Sequence, residues 1–358
     1  MRSPGPEPRA RAARRVPLLA WALALAVTLS GVLASPVASA GVDDTGGRLH
    51  EVVPLGEPVV LHTRTAPSAR TVHSGPDFPD LPTSCYTTDP YALTPEPCRL
   101  TPRLKGAPLI VLWGDSHAWM MTPAIRKAVH GKRVNVIALM QGACPVMYSD
   151  LSTPKKRASR NGCDVFGHEA ISFIRKAKRQ KRPLRVIVAM AWELYHNVTD
   201  EPNGADRKFP GFANDYIRVN AVKSLRGTPR AFRELGRMGV RTDIVAASPM
   251  VYQTAPECPG RGQGWRCPLP RAGVLKDPRE NNAQVRRMRS LLSVKGSIIR
   301  PATSLCGATT CRGTIDGVPT YYDRIHLGQR ASYRLSSHFR PTVRAVVDEA
   351  KNRPRAAR

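Results

Sequence analysis

The feature that most constrains this chain is a series of short apolar runs set between amphipathic stretches. Residues 109–113 (LIVLW) are continuously apolar and too few for a buried helix. Residues 134–139 (VNVIAL), 185–190 (RVIVAM) and 242–247 (TDIVAA) share that texture, and 296–299 (GSII) is a shorter fifth. Helical spacing fills the intervals at 118–129, 163–181 and 219–238, with a final stretch at 329–350 that Pro341 must break or restart. Buried-type strands alternating with helices predict an α/β fold, a three-layer α/β/α sandwich around a mostly parallel five-stranded sheet. Ligands bind such sheets outside the carboxyl ends of the strands, so chemistry is sought where strands stop.

The first strand stops at Gly114-Asp115-Ser116-His117. That turn would expose the Ser116 hydroxyl beside backbone N–H groups at a helix start, which suits a developing oxyanion. A serine hydroxyl is a weak nucleophile without a base. Tyr322-Asp323-Arg324-Ile325-His326-Leu327 supplies one far along the chain, with Asp323 spaced to orient His326. The order Ser116…Asp323…His326 is one of several in which the triad geometry recurs. Taken singly, the first motif also reads as an N-capping serine and the second as a surface loop. Asp115 is expected to brace the turn behind the nucleophile, and His117 to pack or line the pocket. Trp192, Tyr195 and Trp119 could stack on a sugar ring or pack in the core. The Gly-x-Ser-x-Gly elbow, the His-Glu-x-x-His motif and the Walker loop are absent. His168-Glu169 has no second histidine four residues on, so neither metal nor cofactor is expected.

Residues 1–40 read as a signal peptide: a basic n-region with Arg9, Arg11, Arg14 and Arg15, an apolar stretch over 16–33, and Ala38-Ser39-Ala40 before the cut. An uncleaved membrane anchor is the alternative. Residues 41–104 form a Pro-rich extension with a candidate strand at 59–62, residues 105–350 the catalytic-type domain, and 351–358 a basic tail. Eight cysteines fall in local couples: Cys85 with Cys98, Cys144 with Cys163, Cys258 with Cys267, and Cys306 with Cys311. Proximity suggests disulfides in that pairing, and no Cys-x-x-Cys suggests zinc. Asn197-Val198-Thr199 has the form of a glycosylation sequon and carries no argument.

Four blocks resemble the SGNH (GDSL-type) hydrolase superfamily, above all the extracytoplasmic SGNH domain of bacterial polysaccharide O-acyltransferases. The blocks are Leu112-Trp113-Gly114-Asp115-Ser116-His117-Ala118; Gly142-Ala143-Cys144-Pro145; Val188-Ala189-Met190-Ala191-Trp192 with Tyr195; and Cys306, Cys311, Asp323, His326 and Leu327. The resemblance spans roughly residues 85–339 and implies a flavodoxin-like sheet. It further implies a Ser116, Asp323, His326 triad and an oxyanion hole built from the Ser116 and Gly142 amides. Most of the superfamily places an Asn in the third block; here Trp192 and Glu193 stand there. The close reads His-Leu-Gly-Gln-Arg where Ser and Gly are usual, and the multi-helix membrane domain of the acyltransferase branch does not occur within this sequence. The function implied is that of a secreted serine esterase or O-acyltransferase. It would act on O-acyl groups, foremost O-acetyl, of cell-envelope glycans through an acyl-serine. A catalytically silent wall-binding module of the same fold is the alternative.

Charge sharpens the choice of partner. The chain carries 55 Lys+Arg against 27 Asp+Glu, a net +28, which alone would invite nucleic acid. Removal of residues 1–40 takes away five Arg and one Glu and leaves +24. For an exported chain that charge points to acylated or anionic envelope glycan and away from nucleic acid, with a separately encoded membrane acyl-donor protein as a further partner. Lys155-Lys156-Arg157, Arg160 and residues 175–182 carry much of it, as solvated faces or as contacts to such polymers.

Overall fold

A computed structural model describes residues 77–81, 85, 97–153, 160–196, 215–250, 268–275, 278–316, 318–323 and 325–353. The expected signal peptide, the strand at 59–62, Lys155-Lys156-Arg157, the sequon at Asn197 and the end of the basic tail lie outside these residues. Six strands make the central sheet: β1 (Cys98–Arg99), β2 (Leu109–Gly114), β3 (Asn135–Met140), β4 (Leu184–Ala189), β5 (Arg241–Val245) and β6 (Lys295–Ile299). Their order is β1-β3-β2-β4-β5-β6. The last five in the chain are the apolar runs read from the sequence, and they pair in parallel. Within this sheet only β1 runs antiparallel, with Cys98 opposite Ala138. This edge strand comes from the stretch read as an extension; at two residues it has no periodicity to announce it.

Every side chain of β2, β3 and β4 is buried, because helices cover both faces. Leu109, Val111 and Trp113 point into one core layer with Phe166, Ile171 and Phe232. Ile110 and Leu112 point into the other with Ile125, Phe339 and Val343. The first layer is closed by α3 (Gly162–Arg179), α4 (Trp192–His196), α5 (Asp215–Arg237) and α6 (Pro278–Ser290); the second by α1 (Ser116–Met120), α2 (Thr122–Val129), α7 (Gln329–Arg334) and α8 (Ser336–Lys351). Each large side chain so buried contributes about 1.5–3 kcal/mol.

Two helix boundaries differ from the sequence reading. The helical stretch at 118–129 is two short helices joined at Met121, with Pro123 in the first turn of the second, where a missing N–H is harmless. The C-terminal break falls at Leu335, whereas Pro341 lies inside α8. Leu335 departs from helical geometry with φ −81° and ψ 3°, so the interruption is set there and α8 absorbs the one lost donor at Pro341.

The parallel part of the sheet begins with β2 at its centre; the chain then steps to β3 on one side and crosses back to β4 on the other. The carboxyl end of β2 therefore lies at the topological switch point, where the flanking connections diverge and leave a crevice. Ser116 stands two residues beyond that end.

Candidate active site

Gly114 closes β2 because nothing larger fits. A Cβ there would lie 1.7 Å from the Ala189 carbonyl oxygen and 2.9 Å from Cβ of Ala118. The close approach of β2, β4 and α1 fixes the sharp turn into Ser116. Asp115 caps α1 and is 1% exposed. One carboxylate oxygen accepts from the His117 amide at 2.7 Å and the other from the Ala191 amide at 3.0 Å. Burial raises its pKa from 3.8 to about 6, against the amides of Ala191 and His117, the Tyr195 side chain and the His326 charge. Asp115 thus ties the nucleophile turn to the end of β4.

The partner loop is closed at its base by a Tyr321–Leu327 bridge and by the Tyr322 amide donating to the His326 carbonyl at 2.9 Å. Within it, Asp323 Oδ1 accepts from the amides of Ile325 at 2.8 Å and His326 at 2.7 Å. Its other oxygen lies 2.7 Å from His326 Nδ1, and His326 Nε2 lies 2.7 Å from Ser116 Oγ. Burial opposes ionisation of Asp323, yet the His326 side chain and charge and the two amides hold its carboxyl below the usual range. Leu327, fully buried against α1, anchors the loop, its amide reaching Met120 Sδ. Ser116 and His326, 210 residues apart in the sequence, are thus joined with Asp323 in one hydrogen-bonded row.

Gly142 follows Gln141, whose amide donates to the Gly114 carbonyl at 3.2 Å, so the β3 loop is fastened beside the Ser116 turn. Ala143 next to it takes φ +56°, a conformation uncommon for a residue with a Cβ. The loop is further held by the Cys144–Cys163 disulfide and by Asn220 donating to the Ala143 carbonyl at 3.3 Å. A side chain on Gly142 would meet nothing within 4 Å, so space does not demand glycine there.

Two other disulfides, Cys85–Cys98 and Cys306–Cys311, follow the proximity pairing. The fourth expected couple, Cys258 with Cys267, lies outside the described residues. That pairing rests on sequence proximity alone.

His117 is 3% exposed with its ring 5.5 Å from that of His326. Burial, reinforced by His326, lowers its pKa to about 3 although Asp323 acts the other way, so it stays neutral beside a base that must charge. Trp192 and Tyr195, expected as stacking residues, are packed in the core. Each is 2% exposed. Trp192 donates its ring N–H to the Val245 carbonyl at 2.7 Å and tilts against Phe232. The short helix α4 folds back under the strand ends, turning both aromatics into the core and leaving no free face for a sugar. Trp119 is half-buried, donating to the Pro79 carbonyl at 2.8 Å.

Sequence reasoning missed Phe78. Its ring packs edge-on to His326 with centroids 5.2 Å apart and to Trp119 at 4.6 Å, and lies tilted against Tyr322 at 5.0 Å. The segment is pinned beside it: the Gln329 amide donates to the Asp77 carbonyl, and the Arg330 amide reaches the Asp77 carboxylate at 3.3 Å. A Cβ on Gly328 would come within 2.6 Å of that carboxylate. The unusual Gly-Gln-Arg after His326-Leu327 is therefore the dock for residue 77. That departure from the family pattern was the available signal.

A mostly parallel sheet with this strand order, a serine at the switch point and an Asp-x-x-His loop facing it define an SGNH hydrolase-type domain. The family model of the SGNH domain fused to AT3 domains matches residues 84–341, and the chain belongs to that family. Among solved structures, the periplasmic domain of a lipopolysaccharide acetyltransferase from Salmonella ser. Paratyphi A is similar at 14% identity, over 67% of this chain and 85% of that one, with a TM-score of 0.42. A carbohydrate acetylesterase family member from Sinorhizobium meliloti is similar at 15% identity, over 67% of this chain and 99% of that one, with a TM-score of 0.34. No curated protein matches the chain in sequence. Among the described residues no group of three His, Cys, Asp or Glu is placed to hold a metal ion, and no helix is long and apolar enough to cross a membrane.

Proposed function

We propose that the protein is an extracytoplasmic serine esterase or O-acyltransferase acting on O-acyl groups, foremost O-acetyl, of cell-envelope glycan. One observation carries this reading: the unbroken row from the Asp323 carboxylate through His326 to the Ser116 hydroxyl, 2.7 Å at each step. His326 Nε2 takes the Ser116 proton as Oγ bonds to the ester carbonyl carbon, and Asp323 holds the imidazole and stabilises its cation. The amides of Ser116 and Gly142 receive the oxyanion. Collapse breaks the bond to the sugar oxygen, which leaves with the proton from His326. Water or an acceptor hydroxyl then attacks the acyl-serine by the same route in reverse.

The intact row speaks against the silent wall-binding alternative, which would not need it. The three disulfides suit an oxidising compartment. A separately encoded membrane protein fits as the donor of the acyl group if transfer is the fate. Wild type should release 4-nitrophenol from 4-nitrophenyl acetate, and Ser116→Ala should be slower by roughly 10³-fold or more. Equal, slow release by both proteins defeats the reading. Adding a glycan acceptor to the same assay and weighing the products separates transfer from hydrolysis.

A further inference from the structure

Helix α5 presents Lys223, Arg226, Arg230, Arg233 and Arg237 along one wall of an open groove of about 800 Å³. Their spacing of three and four residues stacks them on a single helix face. At 1.5 Å per residue the row runs about 21 Å. Its upper end is tied to the Ser116 site: Asn220, one turn before Lys223, donates to the Ala143 carbonyl in the Gly142 loop.

Three of the five cations form no ion pair among the described residues, although Asp150 and Glu234 also line the groove. Lys223 pairs with Asp164, and Arg237 with Glu234, which also meets Arg175 at 3.4 Å. Arg226, Arg230 and Arg233 are exposed and have no carboxylate partner among the described residues. The row does not end at Arg237. Lys178 donates to the Gly239 carbonyl at 2.9 Å, and a second groove of about 380 Å³ beyond it is lined by Lys178, Arg182 and Arg241. Burial, with the charges of Arg99 and Arg103 nearby, depresses the Arg182 pKa.

An array of unpaired guanidinium groups at near-regular intervals matches a polymer that carries an anionic group in each repeat. We propose that this track binds a glycan chain bearing carboxylate or phosphodiester groups and lays it across the molecule towards Ser116. Nucleic acid is the poorer fit. Binding of single strands draws on open aromatic faces between the cations. Tyr148, the aromatic ring on this groove's wall, is already stacked on His168 at 14° between planes. The binding stands on the charge pattern alone; only its link to turnover rests on the esterase or acyltransferase reading.

The test uses the whole protein and three probes at one low ionic strength: polygalacturonate, long-chain polyphosphate and neutral dextran, with a pyrimidine single-stranded DNA beside them. Wild type should bind one or both of the first two, weakening as salt rises, and should not bind dextran. Preference for carboxylate or phosphate identifies the source of the anion. The triple variant Arg226→Gln/Arg230→Gln/Arg233→Gln should bind about tenfold more weakly or worse and lose part of the salt dependence, with its melting temperature kept. Its turnover of 4-nitrophenyl acetate should equal that of wild type, and Ser116→Ala should bind the polymers unchanged. The proposal is overturned if the triple variant binds like wild type, if dextran binds as well as the polyanions, or if the DNA binds most tightly. Inactivity of wild type towards the nitrophenyl ester, with polymer binding retained, would instead strike the catalytic reading alone.

Discussion

At the scale of single residues, the site rests on neighbours that oppose one another in pH response. Folded Asp115 keeps its proton up to about pH 6, while an unfolded chain releases it near 3.8, so acidification through that window adds stability from Asp115. His117 does the reverse: the unfolded chain takes a proton near 6.5, the folded one refuses it until about 3, and acidification removes stability. Asp323, held below the usual carboxylate range, also loses its contribution as pH falls. A shift of the size seen at Asp115 is worth about 3 kcal/mol. Asp115→Asn should therefore leave the His117 loss unopposed. Its melting temperature should fall more steeply than that of wild type between pH 6.5 and 4, and parallel profiles would refute the assignment. Phe78 acts on the same histidine through packing. Phe78→Ala should lower kcat/KM for a small ester by roughly fivefold, about 1 kcal/mol of lost edge-to-face contact, with the melting temperature little changed. An unchanged kcat/KM would mean that the ring merely covers the site.

At the scale of elements, a buried charge knits the far side of the sheet. Arg185 on β4 lies 3.8 Å from Asp243 on β5, with side chains 6% and 0% exposed. Asp243 also accepts from Thr342 of α8 at 2.9 Å and from the Ser297 amide of β6. Gly296 has no room for a side chain, its Cβ position lying 2.3 Å from the Thr242 carbonyl oxygen. Removing one member of a buried pair strands the other, so Asp243→Ala should cost about 3–5 kcal/mol in denaturant unfolding. A loss under about 1 kcal/mol would show the pair to be incidental. The same elements show how far sequence reached. Strands β2 to β5 were legible because burial on both faces forces continuous apolar runs, whereas edge strand β6, partly exposed, left only the short run at 296–299. Strand β1 was not legible, since two residues carry no period. The Leu335 break was not legible because Pro341 was the expected interruption, and the Met121 break because it lies in the backbone angles of an ordinary residue.

At the scale of the whole molecule, the candidate site was legible wherever chemistry demands particular residue types. Gly114, Asp115, Ser116, Asp323 and His326 could be named in advance because a sharp turn, a nucleophile, a base and its orienter leave few substitutes. Surroundings were harder to read. Trp192 and Tyr195 look like a sugar platform until α4 folds them inward. Phe78 lies in a Pro-rich stretch whose contacts come from one ring and one backbone carbonyl. The basic row on α5 reads as a solvated helix face in sequence; only the structure shows Arg226, Arg230 and Arg233 without an ion pair among the described residues. What joins these parts is the switch point at the end of β2, where a buried sheet delivers its first parallel strand to Ser116.

The central claim is that Ser116 carries the acyl group. It is tested most directly by quenching wild type in acid during turnover of 4-nitrophenyl acetate and locating the acetyl group by peptide mass spectrometry. The account predicts one acetyl on the peptide containing Ser116, absent from His326→Ala quenched at the same time point. Turnover with the acetyl group on another side chain, or an undiminished rate in Ser116→Ala, would contradict it.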